Sequence, residues 1–491
     1  MYKGKGCVLM LGHIQKTTKI YDLMALCCSF ILKEYNRSPI EFNEFDDEKY
    51  DEVYDVIEKY CYACEDEGRI KAFIKLREDI IEFMKPEPDV EKCFAVIRYI
   101  DELVEPDICG RLMGGEHKIK YTALNEQYCD KVKIIPEMKE TFLHRGNIEL
   151  GNNGYAFLRK RRESEWSPLD REVVNYLIWD EECIKKYPLC IYHYDKMSQM
   201  AARFRRKNTI VLGIVPFSNE KTEQILNICY EKRLFFVDGL KEEAVEKLKN
   251  RYRDICRRSE KEDIDFLIFP EMLMTDAIIA SIEKNENRKS PRVIINGSIW
   301  EDYTNRAVIT DGNGREIFHY LKKEPFIYKH DNIEYKEWLK KEKNEEYCIM
   351  EIDGVGRIGI GICKDLLNEK IKLFHKYIGT DLLLVPAYTK SMDLQASAEN
   401  LSKEYNCIVA VVNACSALEK KFPETEQERV GFITLPAKNG TDRSAVILRY
   451  YRNECKEECD KKCVGKKILI DFYSAGTYGD KKSYSVTETV F

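Results

Sequence analysis

The chain reads as an α/β protein preceded by a mostly α-helical region, and two patterns predict this. Over the first hundred residues, apolar side chains recur at three and four spacing. From Thr209 onward, short β-branched runs alternate with amphipathic stretches, and one pair of runs flanks the strong turn signal Asp311-Gly312-Asn313-Gly314. At 491 residues the chain is longer than the ~250–300 residues beyond which single cores seldom grow. Two domains are therefore expected, a helical accessory domain over 1–206 and an α/β domain over 207–491.

In the first domain, Thr17 to Tyr35, Glu48 to Glu65, Arg69 to Met84 and Val90 to Val104 each show helical periodicity, and Pro86 and Pro88 separate the last two. Gly110 to Gly154 is mixed. Leu169 to Ile178 and Glu181 to Arg206 read as helical again. Cys61 and Cys64 have C-x2-C spacing without a second pair at a zinc-like distance, so a helix that happens to carry two thiols is favoured over a metal site. Two basic clusters, Arg159-Lys160-Arg161-Arg162 near Trp166 and Arg203, Arg205, Arg206 and Lys207, could touch phosphates. A solvated face or a linker explains such runs more often.

In the second domain, Thr209 to Phe217 is a buried strand and Lys241 to Arg258 a helix, with Ala244, Val245, Leu248, Tyr252 and Ile255 on one face. Asp265 to Glu271 (DFLIFPE) is an apolar run that stops at a carboxylate, and Met272, Leu273 and Met274 behind it suggest an apolar wall that would raise the pKa of Glu271. Val293 to Trp300 is a strand and Asn305 to Tyr320 a hairpin, followed by Lys322 in YLKKEPF. Ile358 to Asp365 (IGIGICKD) reads as a buried strand that turns sharply at Cys363 into a helix, where free N–H groups would lower the thiol pKa and hydrogen-bond an oxyanion. Asp381 to Ala387, a helix around Ala398-Glu399-Asn400, Cys407 to Asn413, and closing strands at Val430 to Leu435, Ser444 to Tyr451 and Lys467 to Phe472 complete the pattern.

A glutamate after Phe-Pro, a lysine two places after an aromatic and before Pro-Phe, and a cysteine in G-x-x-x-C-x-D follow one another at intervals of 51 and 41 residues (322 minus 271, 363 minus 322). In this the chain, from about Asn208 on, resembles the nitrilase superfamily of carbon–nitrogen hydrolases. The resemblance implies a four-layer α-β-β-α sandwich and a Glu271, Lys322, Cys363 triad. It also implies cleavage of a non-peptide C–N bond, amide before nitrile, through a thioester. Glu271 would act as base and acid, while Lys322 and the backbone N–H of Lys364 would stabilise the oxyanion. A second glutamate often orients the substrate and the lysine in that family; Glu334 and Glu337 are candidates, with Glu337, 26 residues before Cys363, preferred. Neighbouring strand residues face opposite sides, so only one of Lys322 and Lys323 can enter the site, and the family pattern, two after Tyr320 and four before Phe326, implies Lys322.

Some features depart from that pattern. Lys364 stands where the family has an aromatic, Tyr388-Thr389-Lys390 replace a common tryptophan, and Asn219 to Leu240 is longer than usual and reads as an insertion. Cys455, Cys459 and Cys463, spaced C-x3-C-x3-C, offer three corners of a zinc site without an obvious fourth ligand. The resemblance implies no cofactor.

A net charge of −6, from 79 basic and 85 acidic residues, gives no global attraction to nucleic acid or membrane. The N-terminal apolar core and the run Leu23 to Leu32 are too short for a signal peptide or a membrane span, so a cytoplasmic protein with its nineteen cysteines reduced is expected. Partners expected are a small amide or nitrile substrate and further copies of the chain, as homodimers or higher oligomers through the nitrilase-like domain. The alternative is a catalytically silent scaffold, or a module of a multi-component system such as antiviral defence; no Y-x-D-D or P-loop motif occurs in the chain.

Overall fold

A computed structural model describes residues 10–36, 51–66, 68–104, 119–121, 131–136, 169, 173, 175–194, 209–218, 220–283, 289–340, 346–353, 355–389, 393–405, 407–417, 429–436, 446–451, 465–471 and 485–491. The chain divides into two compact units. One holds Met1–Lys139 and Leu158–Ile191, the other Glu140–Phe157 and Tyr192–Phe491.

The first unit is built on four helices, α1 (Ile20–Tyr35), α2 (Asp51–Asp66), α3 (Arg69–Phe83) and α4 (Val90–Leu103). Each forms where the periodicity predicts. In α4 the apolar stripe is Cys93, Val96, Ile97 and Ile100, all buried, and Asp89 caps the helix by accepting from the Lys92 N–H at 2.8 Å. Helix α1 buries Leu23, Met24, Cys27, Cys28 and Ile31 at the centre of the same cluster. Cys61 and Cys64 sit on α2, half-buried against this core, and the Cys61 thiol donates to the Leu103 carbonyl.

Strands β1 (Ile119–Tyr121), β2 (Lys133–Pro136) and β3 (Tyr176–Trp179) follow; β2 and β3 pair antiparallel. Helix α5 (Glu181–Lys186) leads into β4 (Leu189–Tyr194). Here the structure corrects two helical expectations. Tyr176–Trp179 is a strand buried on both faces, and the run from Glu181 is helical for only six residues before Pro188 stops it and a buried strand begins. Continuous apolar runs of this length do not distinguish helix from strand by periodicity.

In the second unit the chain order is β5 (Thr209–Ile214), α6 (Thr222–Ile225), β6 (Leu226–Glu231), β7 (Leu234–Leu240), α7 (Glu242–Ser259), β8 (Phe266–Ile268), α8 (Asp276–Ile279), β9 (Val293–Glu301), β10 (Thr304–Asp311) and β11 (Glu316–Leu321). It continues with β12 (Ile327–His330), β13 (Ile333–Glu337), β14 (Tyr347–Ile352), β15 (Gly356–Ile360), a 3-10 helix over Cys363–Leu367, α9 (Glu369–Ile378), β16 (Leu382–Ala387) and α10 (Asp393–Tyr405). β17 (Ile408–Asn413), β18 (Arg429–Leu435), β19 (Val446–Tyr451), β20 (Lys466–Asp471) and β21 (Ser485–Val490) complete it.

Two sheets pack face to face. One runs β11-β10-β9-β8-β5-β20-β21, with β5, β8 and β9 parallel; the other contains β14-β15-β16-β17-β18-β19, with β15, β16 and β17 parallel. Alternation along the strands assigns the layers. On β5, Val211 and Val215 join Leu267, Ile294 and the α7 residues Leu248, Tyr252 and Ile255 in one cluster, so α7 covers that outer face. On the opposite face of β5, Ile214 approaches Gly431 of the second sheet, where an added Cβ would lie 3.6 Å from it. The outer side of the second sheet carries α9 and α10. His375 packs against Gly359, and Ser402 hydrogen-bonds Thr434 at 2.7 Å. The layers are α-β-β-α, as expected.

The segment read as an insertion has a definite form. β6 and β7 pair antiparallel, β13 joins β7 in parallel and β12 closes a four-stranded sheet of order β12-β13-β7-β6. The basic clusters at 159–162 and 203–207 and the cysteines at 455, 459 and 463 lie outside the described residues. Among those residues, no helix is long and apolar enough to cross a membrane.

Candidate active site

Glu271 stands three residues past β8, at the carboxyl end of a buried parallel strand. Its N–H donates to the Ala387 carbonyl at the end of β16, 3.3 Å away in the other sheet, and the next N–H, of Met272, donates to Ser298 Oγ at 2.9 Å. Gly297 makes this corner possible. It holds φ +66°, and a Cβ there would fall 1.9 Å from the Pro270 carbonyl oxygen, so no other residue lets β9 pass so close to the Pro270-Glu271 turn.

Lys322 follows β11, its N–H bonded to the Asn305 carbonyl at 2.8 Å. Its ammonium is buried and forked between two carboxylates, 2.7 Å from Glu271 Oε1 and 2.7 Å from Glu337 Oε2. Lys323 points the other way, over the rings of Tyr347 and Tyr320 at 4.5 and 5.5 Å, as alternation requires. Of the two glutamate candidates, Glu337 is in the cluster and Glu334 is exposed on β13.

Each oxygen of Glu337 is doubly engaged. Oε1 accepts from Trp300 Nε1 and Asn305 Nδ2, both at 3.1 Å, and Oε2 accepts from Lys322 and from the Phe326 N–H at 2.8 Å. Asn305 also donates to Glu271 Oε1 at 2.8 Å and so ties the two carboxylates together. Glu271 Oε2 alone among these four oxygens has no hydrogen-bond partner although it is buried. Together with Asn305 Oδ1, which is also buried without a partner, it is a free acceptor of the cluster.

Cys363 opens the 3-10 helix after β15 and is 1% exposed, with φ +48°, a left-handed conformation that is costly for a residue with a side chain. Asp365 holds this turn. Its carboxylate accepts from the N–H of Ile362 at 3.0 Å and, from the loop beyond Lys322, the N–H groups of Lys323 and Glu324 at 3.0 and 2.8 Å. One side chain thus locks the thiol's turn to the lysine's loop. The thiol feels the charges of Glu271, Lys322 and Glu337, and the backbone of Tyr388 favours its ionised form. Lys364, whose backbone N–H was the expected oxyanion donor, carries its ammonium 6.0 Å from the Phe326 ring centre.

Burial sets the electrostatics. It raises the Glu271 pKa; the Lys322 charge and hydrogen bond and the Asn305 donor oppose that shift, and the Glu337 charge adds to it. Met272, Leu273 and Met274 are all buried, consistent with the expected apolar wall. Lys322 is held well above the usual lysine range, because its two carboxylates outweigh its burial. For Cys363 the expectation of a lowered pKa is corrected. Burial, and then the Glu271 charge, push the thiol well up, and Lys322 and the Tyr388 backbone only partly offset them. Burial pushes Asp365 up to about 6. The balance keeps the cysteine as a thiol rather than a thiolate.

Reasoning from the sequence missed the parts played by Asn305, Trp300 and Tyr388, and had Asp365 only as a letter of the cysteine pattern. Asn305 had a signal: a polar residue whose strand neighbours on the same face are apolar. Among the described residues nothing in this cluster has the ligand set of a metal site.

No family model matches the chain, and no curated protein matches it. Among solved structures, a glutamine-dependent NAD+ synthetase from Acinetobacter baumannii is 14% identical over 57% of this chain and 48% of its own, with a TM-score of 0.36. The present chain spans about half the length of that synthetase. Saccharomyces cerevisiae Nit3, a member of branch 10 of the nitrilase superfamily, is 13% identical over 50% of this chain and 91% of its own, TM-score 0.32. An amidase of Nesterenkonia AN1 from the same superfamily is 10% identical over 50% and 92%, TM-score 0.31. At TM-scores this low the likenesses add nothing to the case for chemistry, which rests on the residues of the site.

Proposed function

We propose that the second unit is a cysteine-dependent hydrolase of non-peptide carbon–nitrogen bonds, acting on an amide through a thioester. One observation carries this reading. A thiol shares a buried cluster with an ammonium and with a carboxylate that has a single free oxygen, Glu271 Oε2.

Amides are poor electrophiles, so thiolate is the nucleophile the chemistry requires. Glu271 takes the Cys363 proton as sulfur bonds the carbonyl carbon. The negative charge that moves to oxygen meets Lys322 and backbone N–H donors at the turn; losing one such donor typically costs ~3–4 kcal/mol of barrier. The C–N bond then breaks as Glu271 returns the proton to nitrogen, and ammonia or an amine leaves. Water adds to the thioester while Glu271 accepts its proton. The C–S bond breaks, the acid departs and the thiol is restored. Glu337 does not touch the reacting atoms in this scheme; it positions Lys322 and, through Asn305, Glu271.

The test is intact-protein mass spectrometry of the full chain with a panel of simple amides, read together with ammonia release. The expected result is an acyl adduct on Cys363 that disappears in Cys363→Ala and Glu271→Gln. Absence of both adduct and ammonia across the panel overturns the reading and leaves the fold as a scaffold.

A further inference from the structure

The four-stranded sheet that delivers Glu337 to Lys322 does more than hold one carboxylate. On β13, Ile333, Tyr335 and Glu337 share a face; on β12, Tyr328 lies opposite Tyr335 and His330 opposite Ile333. Glu337 is in register with Phe235 of β7, and Phe235 lies opposite Tyr230 of β6. One face therefore presents Glu337 together with Phe235, Tyr335, Tyr328, Tyr230 and His330.

The rings form a continuous path. Phe326, whose N–H bonds Glu337, meets Phe235 edge-on at 6.5 Å, and Phe235 meets Tyr328 at 5.9 Å. Beyond them Tyr328, Tyr230 and His330 stand nearly parallel. Tyr230 and His330 are 5.1 Å apart at 6°, Tyr230 and Tyr328 6.5 Å at 19°, and Tyr328 and His330 6.1 Å at 15°. Exposure rises along the path: Phe235 is buried, Tyr328 and Tyr335 are half-buried, and Tyr230 is 37% exposed beside an exposed His330.

A core would bury such rings and a plain surface would not gather them. Parallel π-faces that open to water at one end and reach the catalytic cluster at the other suit a flat guest that stacks. An aliphatic chain would gain area here but no match of ring planes.

We infer that this face is the substrate platform, and that the preferred substrate is an amide whose acyl part carries a planar aromatic group. The inference rests on the hydrolase reading for the position of the amide, not for the stacking. On this platform the aromatic group lies along Tyr328 and Tyr230 while the amide carbonyl reaches the thiol.

The experiment uses the full chain as Cys363→Ala, so that binding is read without turnover. 3-Phenylpropionamide and propionamide are titrated in turn and followed by ligand-observed NMR. The aryl amide is expected to bind at least tenfold tighter, equivalent to ~1.4 kcal/mol. Tyr328→Ala should erase that preference and His330→Ala, at an exposed position, should reduce it, with thermal unfolding checking that each variant is folded. Equal affinity for the two amides, or a preference that survives both variants, overturns the platform. So does self-association that Tyr230→Ala abolishes, which would give this face to a second copy of the chain. The two readings fail separately. Acylation of Cys363 by propionamide without an aryl preference removes the platform alone, and an aryl preference without any acyl adduct removes the hydrolase alone.

Discussion

Glu337→Gln keeps the length of the side chain but exchanges one acceptor oxygen for a donor. Four donors surround the two oxygens, Trp300 and Asn305 at one and Lys322 and Phe326 at the other. Whichever way the amide turns, two of them face an NH2 group. Asn305 or Lys322 keeps its bond to Glu271, but Trp300 Nε1 or the Phe326 N–H is left without an acceptor, a loss of about 1–3 kcal/mol. For a unit of this size that is a fall of roughly 2–5 °C in Tm, measurable by circular dichroism. A second, independent effect concerns pH. The Glu337 charge helps to raise the pKa of Glu271, and in the proposed mechanism Glu271 has to be ionised to take the thiol proton. Removing that charge lowers the Glu271 pKa, and the acidic limb of the acylation rate should move to lower pH. A variant with unchanged Tm and an unmoved limb would refute the assignment of Glu337 as the group that fixes Lys322 and tunes Glu271.

Gly297→Ala drives a methyl group into the Pro270 carbonyl and imposes φ +66° on a residue with a Cβ. A loss above ~2 kcal/mol is expected from the left-handed backbone and the overlap together, with slower acylation because Glu271 is the next residue. For Glu271→Gln, the raised carboxyl pKa means that the folded chain holds this proton more tightly than the unfolded one. Its contribution to stability is therefore lost as pH rises from about the unfolded value of 4.5 through the folded pKa. The Gln variant should lose that slope in urea titrations run at several pH values, along with the adduct. Asp365→Asn exchanges one of two accepting oxygens for a donor facing backbone N–H groups, and is expected to cost about 1–3 kcal/mol. It should also loosen the Cys363 turn, seen as faster labelling by iodoacetamide in the absence of substrate.

Much of the second unit was legible because its elements carry their own signals. β15 ends in two glycines and a cysteine, the β10-β11 turn is Asp-Gly-Asn-Gly, and the stripe of α7 repeats at helical spacing. Glu337 was found by counting back from Cys363. The thiol pKa was misjudged for a physical reason: the turn's free N–H groups are visible in the sequence, whereas the burial and the nearby Glu271 charge that outweigh them arise only from tertiary packing. Asn305 was missed because a lone asparagine in a hairpin looks like a surface residue until two carboxylates converge on it. Strands β12 and β13 were hidden by their composition. One side carries Ile327 and Lys329 on β12 and Glu334 and Lys336 on β13, and the period of two that puts Tyr328, His330, Ile333 and Tyr335 on the other side is easily lost in so polar a stretch. In the first unit, runs apolar on every side were read as helix where the chain extends.

Glu271 and Lys322 leave strands of one sheet, whereas Cys363 leaves a strand of the other. Neither sheet alone holds a complete set of reactive groups. During folding, therefore, the sulfur stays apart from Glu271 and Lys322 until the halves of the sandwich dock, and on the proposed reading a half-built species lacks the set that acyl transfer needs. Reactivity of Cys363 toward a small thiol-directed label should instead be lost in one step with native assembly, as burial raises the thiol pKa, so its protection reports that the chain has closed.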